Sequence, residues 1–396
     1  MIRSVAIVGG GPAGSSLAIR LSRKGYAVTL IERERFPRQK LCGEFISPEC
    51  FDHFRELGVD MLSGGGDRIV KTIFYSQSGR SVSIPTEWFG GSTSALGLSR
   101  SEMDLRLLQC ARNAGAEVHQ STAAIGLVYE KERAAGIWVS AEQKQRRPIY
   151  ADLVIDATGR SRVLSKLLKR SSAARSPQSI SQPSSLVAFK AHLQGAAIDR
   201  GRCEIYAFPG GYGGLTNIEG DLANLCFMVR SDVARKFGGK ADNVLKDLIF
   251  RNSRAASALR DAKRSEEWLA ASIRSFGESA LDPIQGVYSI GDAAAFVDPF
   301  TGSGMLMAME SSEIFAYCVD LCVEQPELLS AAYASAFHRR FAARLRFCHV
   351  LRKLAFVPAF ATLAVAGLGI NNSLTKRIAR ATRPQMAAAK GILNQR

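Results

Sequence analysis

The sequence has no paired cysteines. Its eight thiols, at 42, 50, 110, 203, 226, 318, 322 and 348, form neither a C-x-x-C pair nor a metal-ligand spacing. No metal is therefore expected, and free thiols are expected in place of a disulfide framework. Cys318 and Cys322 stand one helical turn apart, where ordinary packing is the expected role. Free thiols fit a reducing compartment, and no signal peptide precedes the first strand, so the expected location is cytoplasmic. Histidine is sparse: the five, at 53, 119, 192, 338 and 349, lie outside every motif and read as satisfied or solvated. No nucleophile–base triad is evident. Acid is also short, with 36 Asp and Glu against 52 Lys and Arg, a net charge of +16. Such a balance suits anionic partners. The basic residues are scattered and no nucleic-acid motif is found, so nucleic acid is not expected among them. There is no internal repeat. A charge-free run does occur at 354–370, but as a helix it would reach only ~26 Å. That is short of a ~30 Å bilayer core, and Pro358, Gly367 and Gly369 interrupt the run.

What the chain does have begins almost at once. Val5-Ala6-Ile7-Val8 reads as a buried parallel strand and runs into Gly9-x-Gly11-x-x-Gly14, with Pro12 and Ala13 inside the turn. An apolar-periodic helix follows. Gly9 permits the tight turn, Gly11 admits a pyrophosphate to the backbone, and Gly14 allows close packing of helix on strand. The free N–H groups of the helix start attract the phosphates. A second apolar run, 27–31, ends at Glu32, 18 residues beyond Gly14, where a carboxylate can accept hydrogen bonds from a ribose. The combination predicts a dinucleotide site.

Farther along, 69–75 and 81–84 read as a hairpin, and Ser99 as the N-cap of a helix over 100–114. Val118, 124–129 and 137–139 suggest a β-meander, and 151–159 is an apolar strand ending in a small-residue turn. Residues 170–185 read as a loop or domain crossing. The segments 186–193, 203–208 and 222–229 read as strands of a second sheet, followed by a helical stretch over 241–261. Gly286–Asp292 repeats the strand-then-glycine pattern. It passes Pro299 and Gly302-Ser303-Gly304 into a helix over 305–322. An acid at 292 can accept hydrogen bonds from a polyol, and the 305 helix offers its positive end to a reduced flavin. Glycines at 302 and 304 allow a planar ring to lie on the backbone. A polyol contact favours FAD over NAD.

Together, Gly9–Gly14 with Glu32-Arg33, Leu98-Ser99-Arg100 with Asp104, Asp156-Ala157-Thr158-Gly159, and Gly291-Asp292 with Pro299-x-x-Gly302-x-Gly304 resemble the para-hydroxybenzoate-hydroxylase-type FAD-dependent oxidoreductases. Lys40-x-Cys42-Gly43-Glu44 places the resemblance in their geranylgeranyl-reductase-like branch. It covers about residues 1–320. The fold it implies is α/β: a Rossmann-like FAD-binding domain of the GR2 type (1–66, 97–175 and 276–325), an inserted antiparallel-sheet substrate domain (67–96 and 176–275), and a C-terminal helical cap (326–396). The resemblance further places Gly9, Gly11 and Gly14 on the pyrophosphate, Glu32 on the adenosine ribose with Arg33 nearby, and Arg100 and Gly159 in the cofactor cleft. It assigns Asp292 to the ribityl chain and Gly302–Gly304 to the flavin ring. Cys42 and Glu44 become candidate catalytic residues, and Tyr206 and Phe208 candidates for the substrate face.

Two positions depart from the family pattern. Thr158 replaces an acid linked to nicotinamide contacts, so NAD(P)H as transient reductant stands beside a separate flavin reductase or electron donor. Glu204-Ile205-Tyr206-Ala207-Phe208-Pro209 keeps only Phe-Pro of the Tyr-x-Trp-x-Phe-Pro signature, which tilts the expectation slightly toward hydroxylation. Double-bond reduction is the alternative, and a non-catalytic FAD-binding or electron-transfer partner is a third reading. The halogenase motif Trp-x-Trp-x-Ile-Pro is not found. The expected substrate is a lipophilic polyketide, quinone or isoprenoid-like molecule. The tail reads first as a cap over its cavity and second as a peripheral contact at the inner membrane face through 354–383.

Overall fold

A computed structural model describes residues 1–90, 93–141, 145–172, 186–273, 276–297, 302–355 and 372–381. Its first layer is a five-stranded parallel sheet, in the order Val287–Ser289, Leu153–Asp156, Ser4–Val8, Ala27–Ile31, Glu117–His119. The three central apolar runs of this order, Leu153–Asp156, Ser4–Val8 and Ala27–Ile31, are largely buried, as parallel strands require, whereas Glu117–His119 is a more exposed edge. On one face lie the helices Pro12–Arg23, Arg100–Asn113 and Gly304–Leu321, whose Leu17, Leu107 and Phe315 join Ile7 and Leu30 in one core. On the other, the antiparallel sheet Thr122–Glu130, Arg133–Ala141, Arg146–Tyr150 packs Leu127, Ile137 and Val139 onto Ala6, Val8 and Ile31. Val118 therefore leaves the meander in which the sequence placed it. It pairs in parallel with Leu30, because the helix 100–113 carries the chain back across the sheet.

The second large sheet holds Leu186–Gln194, Ala223–Arg230, Gly211–Asn217, Arg202–Phe208, Lys71–Tyr75 and Ser81–Pro85 in that order, with Lys263–Arg264 and Leu269–Ile273 along its first strand. The hairpin 71–75/81–85 joins it through a parallel pairing with Arg202–Phe208. One of its strands, Gly-Tyr-Gly-Gly-Leu-Thr-Asn, escaped the sequence reading because glycine carries no strand signal. The expected long helix over 241–261 is instead three short ones, Ala241–Asp247, Ile249–Arg251 and Ser253–Leu259, covering the rear of this sheet. The helix Asn372–Ala381 sets Ala379 against Ile84 and Phe89. Most of the 354–370 run, and Pro299, lie outside the described residues. Among the described residues, no helix is long and apolar enough to cross a membrane.

Candidate active site

The glycine turns converge. Gly9 stands at φ +108°, and a Cβ on it would lie 2.5 Å from the Ala157 carbonyl oxygen; one on Gly14 would lie 1.9 Å from the Gly9 carbonyl oxygen. Those two glycines let the first helix touch the sheet. Gly11 differs: its Cβ would meet only the tips of Arg38 and Arg100, both 3.9 Å away, so this backbone faces open space. Gly291 of the second turn, at φ +59°, packs against Ala13 of the first, with 2.8 Å to the Ala13 Cβ. Gly159 at φ +64° lies beside Asp292.

All these turns line one cavity of about 1550 Å³. At its glycine end Arg38, Lys40, Arg100, Arg160 and Arg162 face Glu32, Asp104 and Asp292. Glu32 accepts the amides of Gly10 (2.8 Å) and Glu34 (2.9 Å), one on each oxygen, which fixes the carboxylate at the strand end. Arg100 grips Asp104 through two hydrogen bonds of 2.9 and 2.8 Å, and Arg38 reaches the same carboxylate at 3.2 Å. Burial pushes the Lys40 ammonium down to about 8, and the neighbouring guanidinium groups of Arg38, Arg100 and Arg160 add to the effect. Burial also pushes the Asp292 carboxyl up, against the pull of Arg160, Arg100, Lys40 and Arg162.

This end fits an FAD pyrophosphate and polyol. The Pro12–Arg23 and Gly304–Leu321 helices start without a side-chain cap or an acid in the first turn, leaving their positive ends open. Nε of Arg38 and of Arg162 are buried donors with no hydrogen-bond partner among the described residues. A Cβ on Gly304 would meet nothing within 4 Å, which leaves room for a planar ring. Ser303 is buried beneath that turn, its carbonyl accepting from Arg344 at 3.3 Å. A model of the FAD binding domain family matches residues 3–316. The chain belongs to that family.

It is accordingly an FAD-dependent oxidoreductase, and the resemblance read from the sequence is borne out. The digeranylgeranylglycerophospholipid reductase of Methanosarcina mazei is 27% identical over 315 residues, 78% of this chain and 73% of that protein. The menaquinone reductase of Mycobacterium tuberculosis is 27% identical over 372 residues, 87% of this chain and 84% of that one. Among solved structures, a geranylgeranyl bacteriochlorophyll reductase-like protein from Thermoplasma acidophilum shares the fold. Its TM-score is 0.78 over 100% of this chain and 97% of its own, at 19% identity.

Several expected site residues sit differently from their sequence reading. Arg33 borders the cavity, but its side chain is 75% exposed and paired with Glu34; Arg38 is the cation beside Glu32, at 3.7 Å. Tyr206 and Phe208 do not line the substrate face. Both are buried in the core behind the sheet, where the Tyr206 hydroxyl donates to Glu204 (2.6 Å). The cavity face of that strand carries Cys203, Ile205 and Ala207 instead. Thr158 is tied into its own turn, donating to Asp156 (2.6 Å) and accepting from the Val163 amide (2.9 Å). Cys42 and Glu44 both border the cavity. The Glu44 amide donates to the Cys42 sulfur (3.4 Å), and the Arg100 guanidinium reaches that sulfur too. The Glu44 carboxylate is fully engaged by Arg100, Lys190 and His192. His192 is a satisfied histidine, as expected, and it meets the site through Glu44.

Proposed function

We propose that this chain is an FAD-dependent reductase of a carbon–carbon double bond in a lipophilic, isoprenoid-like or quinone-like substrate. The carrying observation is the wall of the cavity beyond the cofactor turns. Phe74, Val82, Ile84, Phe89, Ile205, Tyr212 and Met228 line it, with no charged side chain among them. A single-ligand pocket is roughly 300–1,000 Å³; at about 1550 Å³ this cavity has room for the cofactor and a long apolar molecule together. The names of the two reductase relatives support the same class. Tyr206 and Phe208 lie in the core, so the altered signature concerns packing and loses its weight as an argument for hydroxylation.

In this reading Arg38, Lys40, Arg100 and the Gly11 backbone hold the pyrophosphate. Glu32 takes the ribose hydroxyls, Asp292 the ribityl hydroxyls, and Gly302–Gly304 the ring. Reduced FAD supplies the hydride equivalent. The apolar wall orients the chain and excludes water. The second carbon of the double bond needs a proton, and Cys42 Sγ, held by the Glu44 amide, is the protein group that carries it at the wall.

The test is anaerobic. FAD-loaded protein reduced with dithionite is mixed with a prenylated quinone or a geranylgeranyl lipid. Flavin reoxidation with a product whose isoprenoid chain gains two hydrogens at a double bond supports reduction; two hydrogens taken up at a quinone ring do not. Reoxidation only on admitting oxygen, with a product gaining one oxygen atom, replaces the reductase by a hydroxylase. NADH and NADPH are then tried in place of dithionite; without bleaching by either, a separate electron donor is required.

A further inference from the structure

The loop 39–44 runs from the cofactor turns to the substrate sheet, and that sheet grips it. The Glu44 carboxylate is completely buried. One oxygen accepts the Arg100 amide (2.8 Å) and the Lys190 ammonium (2.6 Å); the other meets His192 Nε2 (2.7 Å). His192 Nδ1 lies 2.7 Å from Glu266, so each ring nitrogen faces a carboxylate. Lys190 donates also to Gln39 (2.9 Å), and Asn224 donates to the Cys42 carbonyl (3.1 Å). Glu44 itself stands at φ +54°, a left-handed conformation that a non-glycine residue keeps only when its surroundings enforce it. Burial alone would push its carboxyl up; His192, Lys190 and the Arg100 amide hold it below the usual carboxylate range.

Such a cluster is a weak device for stability, because well-packed apolar side chains do as well or better in its place. Its geometry points to another use. We propose that Lys190 and His192 are positioning residues: acting through Glu44, they set Cys42 Sγ at the cavity wall beside Arg100. The strand that walls the substrate chamber thereby also fixes the group that gives the proton. The role of Cys42 as proton donor rests on the reductase reading; the clasp does not.

The experiment uses FAD-loaded protein with His192→Leu, His192→Gln and Glu266→Gln. Glutamine keeps a donor toward Glu44; leucine removes it. Thermal melting, kcat and KM for a prenylated quinone, and the rate of Cys42 alkylation by iodoacetamide are measured for each. His192→Leu is expected to lower the melting temperature, since it strips one partner from the buried Glu44, to lose at least about tenfold in kcat at unchanged KM, and to change Cys42 alkylation by a similar factor. His192→Gln should recover most of both. Glu266→Gln, at a partly exposed side chain, should move both in the same direction but less, and it replaces His192→Leu if the latter fails to fold. Wild-type values of kcat and alkylation in His192→Leu, or a loss that His192→Gln does not recover, overturn the proposal. If the wild type reduces no double bond, the alkylation rates alone decide it, and the failure belongs to the reductase reading.

Discussion

Lys40 gives the most informative handle on the cofactor end. Its ammonium is lowered from 10.5 to about 8 by burial and by the guanidinium groups of Arg38, Arg100 and Arg160. At roughly 1.36 kcal/mol per pH unit this is about 3 kcal/mol of unfavourable interaction in the cofactor-free protein. A pyrophosphate at the Gly11 backbone, whose open side the Arg38 and Arg100 tips flank, supplies the missing anion and raises the value again. Binding therefore takes up a proton between about 8 and the value in the complex. The sign follows: FAD affinity falls as pH rises through 8, by up to about tenfold per pH unit. Lys40→Met removes that proton and flattens the dependence. It also relieves the cofactor-free fold, because a group whose folded value is depressed destabilises below that value and stops doing so above its unfolded one. Flavin fluorescence titrations from pH 7 to 10 measure the affinity, and calorimetry in two buffers of different ionisation enthalpy counts the proton. Equal pH slopes in wild type and Lys40→Met, or an affinity that rises with pH, refute the reasoning.

Gly11→Ala and Gly14→Ala should separate fold from cofactor. A Gly14 Cβ meets the Gly9 carbonyl oxygen at 1.9 Å, so soluble yield or melting temperature should collapse, at a cost of at least about 3 kcal/mol. Gly11 has an ordinary φ of −76° and open space ahead, so melting should hold while FAD dissociation rises in equilibrium dialysis. Cys42→Ala should retain the flavin spectrum and lose about a hundredfold in reduction rate, within the usual range for a lost general acid. Tyr206→Phe should cost about 1–2 kcal/mol in chemical unfolding, because it removes a buried hydrogen bond to Glu204, with KM unchanged. Ile205→Trp, on the other face of the same strand, should raise KM or exclude long substrates at wild-type stability.

The dinucleotide turn was legible because its requirements are local: strand, turn, helix and acid follow one another within the stretch 5–32. The second turn at 291 was legible for the same reason. That the two turns meet on one cofactor came from the family resemblance; the contact that joins them, Gly291 on Ala13, spans nearly the whole matched region. Lys190 and His192 carry no motif, and their meaning comes from Glu44, an earlier residue that the chain brings back at distances of 2.6 and 2.7 Å. Likewise Arg38 took the place expected of Arg33 because loop geometry, not spacing, decides which guanidinium returns to Glu32.

Strand parity explains the misplacement of Tyr206 and Phe208. On 202–208 the polar positions, Arg202 and Glu204, share a face with Tyr206 and Phe208, so polarity points that face away from the core. Size does alternate here. On 202–208 the chamber side carries Cys203, Ile205 and Ala207, whereas Tyr206 and Phe208 fill the core behind. The physical reason is that a core must be packed to the density of a solid, while a chamber exists only where side chains stop short. Along this strand the smaller series therefore marks the ligand side. Applied to 202–208, that rule selects Cys203, Ile205 and Ala207 and leaves the two aromatic rings to the core.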